Sequence, residues 1–247
     1  MELLDAYSTA QLLAGLGAAF GAAVVRGLAG FGMAILLMPV LALALDPVHA
    51  VLVANALGVM IGLVELRHLI GHSERSAWII GGFIMLSTPA GLWLLEATDP
   101  ALARLVIAMI ALLAFAAIFL PRRSSTAPGM FATAGVGTVA GLLTGFAGMP
   151  GPPVVPYYVG RELPREVVKA SMLLVFTIAS VSGSLAGIAL GHFDLSIAWL
   201  AIVLFPAILL GNWLGEKASD AIGDATWRFL VAVILGGTAI SALARLS

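Results

Sequence analysis

A chain of 247 residues in which 61% are hydrophobic and only 10% are charged departs from an ordinary soluble domain, where roughly a quarter of residues carry charge. With a mean hydropathy of +1.10, it reads as an all-α polytopic membrane protein whose outer surface faces the lipid bilayer. Zero cysteines exclude disulfides, thiolate nucleophiles and cysteine-bound metal, and at a net charge of −1 the placement of charges matters more than their sum, with no nucleic-acid partner expected.

The opening Met1-Glu2-Leu3-Leu4-Asp5 is acidic and lacks the basic region of a cleaved secretory signal, so the first apolar run is read as mature structure. Apolar runs follow at about 9–26, 28–45, 49–66, 76–95 and 101–120, then at about 129–144, 149–160, 166–190, 195–214 and 226–244. A full span takes about 20 residues, and most runs qualify. The two that flank Gly148-Met149-Pro150-Gly151-Pro152-Pro153 are short and interrupted by proline. Pro121-Arg122-Arg123-Ser124-Ser125-Thr126-Ala127-Pro128-Gly129 is polar enough to part the halves. The expected organisation is a first membrane repeat over 1–120, a cytoplasmic linker over 121–129 and a second membrane repeat over 130–247.

Lysine and arginine collect in short cytoplasmic loops. Arg67 and Arg75 flank one loop, Arg122 and Arg123 lie in another, Arg161, Arg165 and Lys169 in a third, and Lys217 with Arg228 in a fourth. The opposite side then holds Glu2, Asp5, Asp46, Glu96, Asp99, His192 and Asp194, with Arg104 and Arg245 as basic exceptions. Both termini are predicted to be periplasmic. That orientation survives whether each glycine-rich pair of runs crosses twice or turns back as a hairpin, so the count of crossings, eight to ten, stays open.

Two glycine-rich stretches interrupt the apolar runs: Arg26-Gly27-Leu28-Ala29-Gly30-Phe31-Gly32-Met33 and Thr144-Gly145-Phe146-Ala147-Gly148-Met149-Pro150-Gly151. They align as parts of a duplication. Gly27-Leu28-Ala29-Gly30 matches Gly145-Phe146-Ala147-Gly148, Met38-Pro39 matches Val155-Pro156, Ala54-Asn55 matches Ala170-Ser171, and Pro89 matches Pro206. An odd number of segments per half makes such copies inverted, with broken or re-entrant helices meeting near the midplane.

A helix broken inside the membrane leaves orphan N–H groups and roughly half a positive charge at its new amino end, an anion site in waiting. The expected substrate-binding residues are therefore Gly27, Gly30, Phe31 and Gly32 of the first break and Thr144, Gly145, Gly148, Met149 and Gly151 of the second. Arg26 joins them as a cation abutting the first break, and Asn55 and Ser171 as the matched polar residues on the next helix of each half. The competing account of these glycines is close helix packing by small residues. Lys169 is a weaker counterpart of Arg26. Glu65, His68 and His72 share one helical face, yet Gly71 and the polar run after it suggest a helix end, so no metal and no cofactor is expected.

The paired glycine motifs, the Met-Pro and Val-Pro pairs, the Ala-Asn and Ala-Ser pairs and the later Phe205-Pro206-Ala207-Ile208-Leu209-Leu210-Gly211 together resemble the sulfite exporter TauE/SafE family over essentially the whole chain. The resemblance implies a bacterial inner-membrane carrier exporting a small sulfur-containing anion, sulfite or an organosulfonate such as sulfoacetate, by alternating access as one repeat rocks against the other. The alternative is an anion channel or a membrane subunit of a larger complex. A homodimer is compatible with the sequence. An enzyme is not expected, because Gly-x-Ser-x-Gly, His-Glu-x-x-His and cysteine are all missing.

Overall fold

A computed structural model of the chain describes residues 7–29, 32–117, 128–159, 161, 163–218 and 244. Among them every regular element is a helix: α1 (Thr9–Ala29), α2 (Met33–Ala44), α3 (Pro47–His72), α4 (Arg75–Glu96), α5 (Pro100–Ala117), α6 (Met130–Ala147), α7 (Gly151–Tyr158), α8 (Arg165–Ala189) and α9 (Leu195–Ala218). Six of these, α1, α3, α4, α6, α8 and α9, are long and apolar enough to cross a membrane. Residues 121–127 of the linker and the tenth apolar run, at 226–244, lie outside the described residues, residue 244 excepted.

The two runs around each glycine break are hairpin arms. Gln11, near the start of α1, donates from Nε2 to the Ala44 carbonyl at the end of α2 (2.9 Å). Thr133, near the start of α6, shares a hydrogen bond with the Tyr157 hydroxyl near the end of α7 (2.9 Å). Each pair of arms thus returns to the end it left. The two hairpins enter from opposite ends, since Tyr7 donates to Ser196 at the start of α9 (3.2 Å) while Tyr158 bonds Ser76 at the start of α4 (2.8 Å). This is the placement that inverted copies require. At 1.5 Å rise per residue the 12-residue α2 and 8-residue α7 are about 18 and 12 Å long, roughly half of a 30 Å hydrocarbon core.

Three of the acidic residues that mark one end in the sequence, Asp46, Asp99 and Asp194, are helix caps. Asp46 accepts from the Val48 N–H at 3.0 Å, Asp99 from Ala101 and Leu102 at 2.9 and 3.2 Å, and Asp194 from Ile197 at 3.0 Å. A carboxylate there satisfies orphan amides and favours the helix dipole. The basic exception, Arg104, does the converse at the same end: its Nε and Nη2 donate to the Ala42 and Leu45 carbonyls at the end of α2 (2.7 and 3.3 Å), where unsatisfied carbonyls carry negative potential.

Two pairings hold backbones closer than side chains would allow. A Cβ on Gly27 would strike the α9 backbone at Asn212, Gly215 and Glu216, and one on Gly145 would strike the α4 backbone at Thr88, Gly91 and Leu92. The α1/α9 and α4/α6 contacts therefore repeat one geometry. Between them α3 crosses α8, with Ser180 set against Gly58, Thr177 against Gly62, Asn55 against Gly183 and Leu52 against Gly187. One apolar cluster gathers α1, α2, α5, α9 and the first half of α3, together with the acidic-end parts of α4 and α6. A second gathers α4, α6, α7 and α8 with Leu69 of α3.

Candidate functional site

Glycine at two positions makes the breaks. Gly32, which precedes α2, has φ +96°, and Gly148, which follows α6, has φ +64°. An L-residue with a side chain pays roughly 1–2 kcal/mol for that left-handed region. At Gly148 a Cβ would also come within 2.9 Å of the Met38 sulfur on α2, so the second break touches the half-helix that follows the first. Gly30 and Phe31 lie outside the described residues.

The amino ends of α2 and α7 open onto one cavity of about 100 Å³, lined at these ends by Gly32, Met33 and Ala34 and by Met149, Pro150 and Gly151. Its walls come from Ala54 to Leu69 on α3 and from Leu173 to Ser180 on α8. Leu69 lies three residues from the end of α3, whereas Ala54 is seven residues from its start. The cavity therefore reaches toward the end of the molecule that holds His72, Glu74 and Arg161, and stops about two turns short of the other.

Among the described residues the charge lining that cavity comes from Arg26, whose side chain is only 9% exposed. Its Nη1 donates to Asn212 Oδ1 at 3.0 Å, and the Asn212 amide donates in turn to Glu216 at 3.0 Å. Among the described residues, polar groups beyond Arg26 are few. Ser180 presents a hydroxyl, whereas the Thr177 hydroxyl spends its proton on the Leu173 carbonyl (2.8 Å). Most of the remaining surface is apolar, including Leu37, Ile61, Val155 and Phe176.

The two amino ends differ in what they offer an anion. At the second break the Gly148 and Met149 amides donate to the Thr144 and Leu143 carbonyls at 2.9 and 3.2 Å. Pro150, Pro152 and Pro153 have no N–H to give, which leaves the Gly151 amide. At the first break the Met33 and Ala34 amides of the α2 first turn show no backbone acceptor among the described residues, whereas Ile35 bonds the Gly32 carbonyl (3.2 Å). Each end still carries its share of helix dipole, roughly half a charge.

Of the residues expected at the site, Arg26, Gly32, Gly148, Met149 and Gly151 line the cavity together. The structure gives the others different places. Gly27 and Gly145 sit inside the α1/α9 and α4/α6 contacts, where neighbouring backbone fills the space in front of them. Thr144 is fully buried and donates to the Ala140 carbonyl of its own helix (2.7 Å). Ser171 accepts the Glu74 N–H at the start of α4 (2.8 Å). Asn55 packs on Gly183 with its Nδ2 unpartnered, one residue from the lining Ala54. Lys169 is exposed. His72 faces Glu166 across 3.5 Å at the helix end, and no cluster of potential metal ligands occurs among the described residues.

Sequence reading missed the apolar walls. The signal was the small residue every three or four positions on both α3 and α8, which marks a close crossing and so the seam along which a cavity lies.

A match to the family described as sulfite exporter TauE/SafE runs over residues 15–242. The chain belongs to the sulfite exporter TauE/SafE family. Members of this family are transporters, not enzymes. The chain is also similar to a protein of Cupriavidus necator described as a probable sulfite/organosulfonate exporter TauE, at 26% identity over 254 aligned positions that cover 97% of this chain and 94% of that one. No solved structure matches.

Proposed function

We propose that this TauE/SafE protein is a secondary transporter that exports a small sulfur oxyanion or organosulfonate across the bacterial inner membrane by alternating access. One observation carries the reading: two half-helix amino ends, from hairpins entering at opposite ends, converge with the buried Arg26 on a single cavity. An oxyanion placed there meets roughly one full charge from the dipoles together and another from the guanidinium. The apolar walls suit a substrate with a small organic part, and the Cupriavidus relative is described in terms of sulfite and organosulfonate.

By the distribution of cations we read the basic end, with Arg75, Arg161 and Lys169, as cytoplasmic and the start of α1 as periplasmic. The cavity then faces inward, as loading for export requires. The two sequence repeats, 1–120 and 130–247, exchange partners: α9 packs on α1 and α4 on α6, backbone against backbone. The moving units are therefore α1–α2–α9 and α4–α6–α7 rather than one repeat and the other. The α3/α8 crossing, where side chains rest in glycine notches, is the surface between them.

The test is thermal stabilisation of the purified protein by sulfite, sulfoacetate and taurine against sulfate and acetate controls, followed by flux in proteoliposomes. Saturable flux of a stabilising sulfonate is the expected result. Flux that rises linearly with concentration indicates a channel, and stabilisation by none of the sulfur anions removes the reading. Loss of Arg26 removes a charged hydrogen-bond donor, so Arg26→Ala is expected to raise KM about 10-fold or more.

A further inference from the structure

We propose that Asn212 is the positioning residue that aims the Arg26 guanidinium into the cavity; this rests on the reading of that cavity as the anion site. The orientation of the Asn212 amide follows from its neighbours. Arginine can only donate and a carboxylate can only accept, so Oδ1 faces Arg26 at 3.0 Å and Nδ2 faces Glu216 at 3.0 Å. The Asn212 carbonyl oxygen, itself neutral, accepts from one of the guanidinium's five donors. The exposed Glu216 carboxylate holds that carbonyl in turn, one turn further along α9.

Comparison of the two repeated contacts shows that this link is an addition to the packing. Thr144 precedes Gly145 as Arg26 precedes Gly27, and Thr88 meets Gly145 as Asn212 meets Gly27. There the hydroxyls of Thr144 and Thr88 each bond their own helix, to the Ala140 and Ile84 carbonyls, both at 2.7 Å. The α4/α6 pair is held closely without a side-chain bond between these positions. The Arg26–Asn212 bond is thus not required to bring α1 and α9 together, and it occurs at the contact whose α1 side chain reaches the cavity.

The experiment measures sulfonate flux in proteoliposomes for Asn212→Leu, Asn212→Asp and Arg26→Gln. Asn212→Leu keeps the branched skeleton and removes the acceptor; it is expected to raise KM about tenfold, one charge-assisted hydrogen bond, with Vmax near that of the parent. Asn212→Asp keeps the acceptor but sets a full negative charge against Arg26, and is expected to raise KM while melting no lower than the parent. In an Arg26→Gln background, Asn212→Leu is expected to change KM no further. A packing role predicts the reverse: a lower melting temperature for Asn212→Leu and an unchanged KM for Asn212→Asp. If Arg26→Gln raises KM and both Asn212 variants leave it unchanged, the proposal is overturned while the anion site stands. If Arg26→Gln itself leaves KM unchanged, the anion site falls first.

Discussion

At the scale of single residues, glycine has two separate uses in this chain, and substitution tells them apart. Gly148 needs its left-handed φ of +64° and has the Met38 sulfur in front of it. Gly148→Ala is expected to cost about 1–2 kcal/mol from backbone strain alone, read as a lower melting temperature in detergent. Gly151 has only ordinary contacts ahead of it, Phe176 and Val155 at 3.9 Å. Gly151→Ala is expected to melt like the parent and to alter substrate affinity, because the new methyl group stands on the cavity wall. Asp194 gives a pH test in the loop before α9. Burial works to raise its carboxyl pKa, but the Ser196 hydroxyl, the Ile197 N–H and nearby His49 outweigh that and bring it below the ordinary 3.8. A depressed carboxylate stabilises the fold above the unfolded value and loses that contribution as pH falls through the folded one. The difference in melting temperature between the parent and Asp194→Asn should therefore be present at neutral pH and close below 3.8.

At the scale of elements, α7 is too short to hold itself in place: 8 residues, of which Pro152, Pro153 and Pro156 donate no backbone hydrogen bond. Its position comes from its last turn. Tyr157 bonds Thr133 on α6 and Tyr158 bonds Ser76 on α4. Arg161 lies over both rings, 5.4 and 5.9 Å from their centres, and grips Glu74 with two bonds of 2.7 and 2.9 Å. The amino end at the cavity is thereby held from the far end of the helix. Arg161→Ala removes a guanidinium that is 9% exposed and strands its carboxylate partner. It is expected to lower stability by about 1–3 kcal/mol and to lower transport although it touches no substrate, which denaturant unfolding and flux on the same preparation would show.

At the scale of the whole molecule, energetics set the direction of transport. An anion leaving a cell that is negative inside gains about 2.3 kcal/mol per charge per 100 mV. A 100 mV potential imposed on proteoliposomes is therefore expected to drive a monovalent sulfonate outward to a concentration ratio of about 50. A ratio independent of the potential would mean that the carried charge is balanced by a co-transported cation or an exchanged anion. The absence of cysteine allows a single reactive thiol to be added. Thr177→Cys, on the α8 wall of the cavity, should react with an impermeant thiol reagent from the cytoplasmic side, and more slowly when a sulfonate is bound.

Membrane class, the helical runs, the opposed charge of the two ends and the duplicated glycine breaks were all legible in the residues. Each is written locally, as hydropathy over a span, as caps such as Asp46 and Asp99, or as a glycine where the backbone must turn. The residue list for the site was legible only in part. Gly32 and Gly148 to Gly151 meet at the cavity, but Gly27 and Gly145 face the backbone of α9 and α4. A glycine that admits a ligand and one that admits another helix look the same in one dimension, and only the approach of a distant segment distinguishes them. Tertiary structure also decided that the first break makes a hairpin with a 12-residue return arm, that α9 packs on α1, and that Arg26 is held by Asn212, 186 residues away along the chain. Local sequence states which helices form and where they break; which broken ends share a cavity depends on packing between parts of the chain that carry no mark of one another.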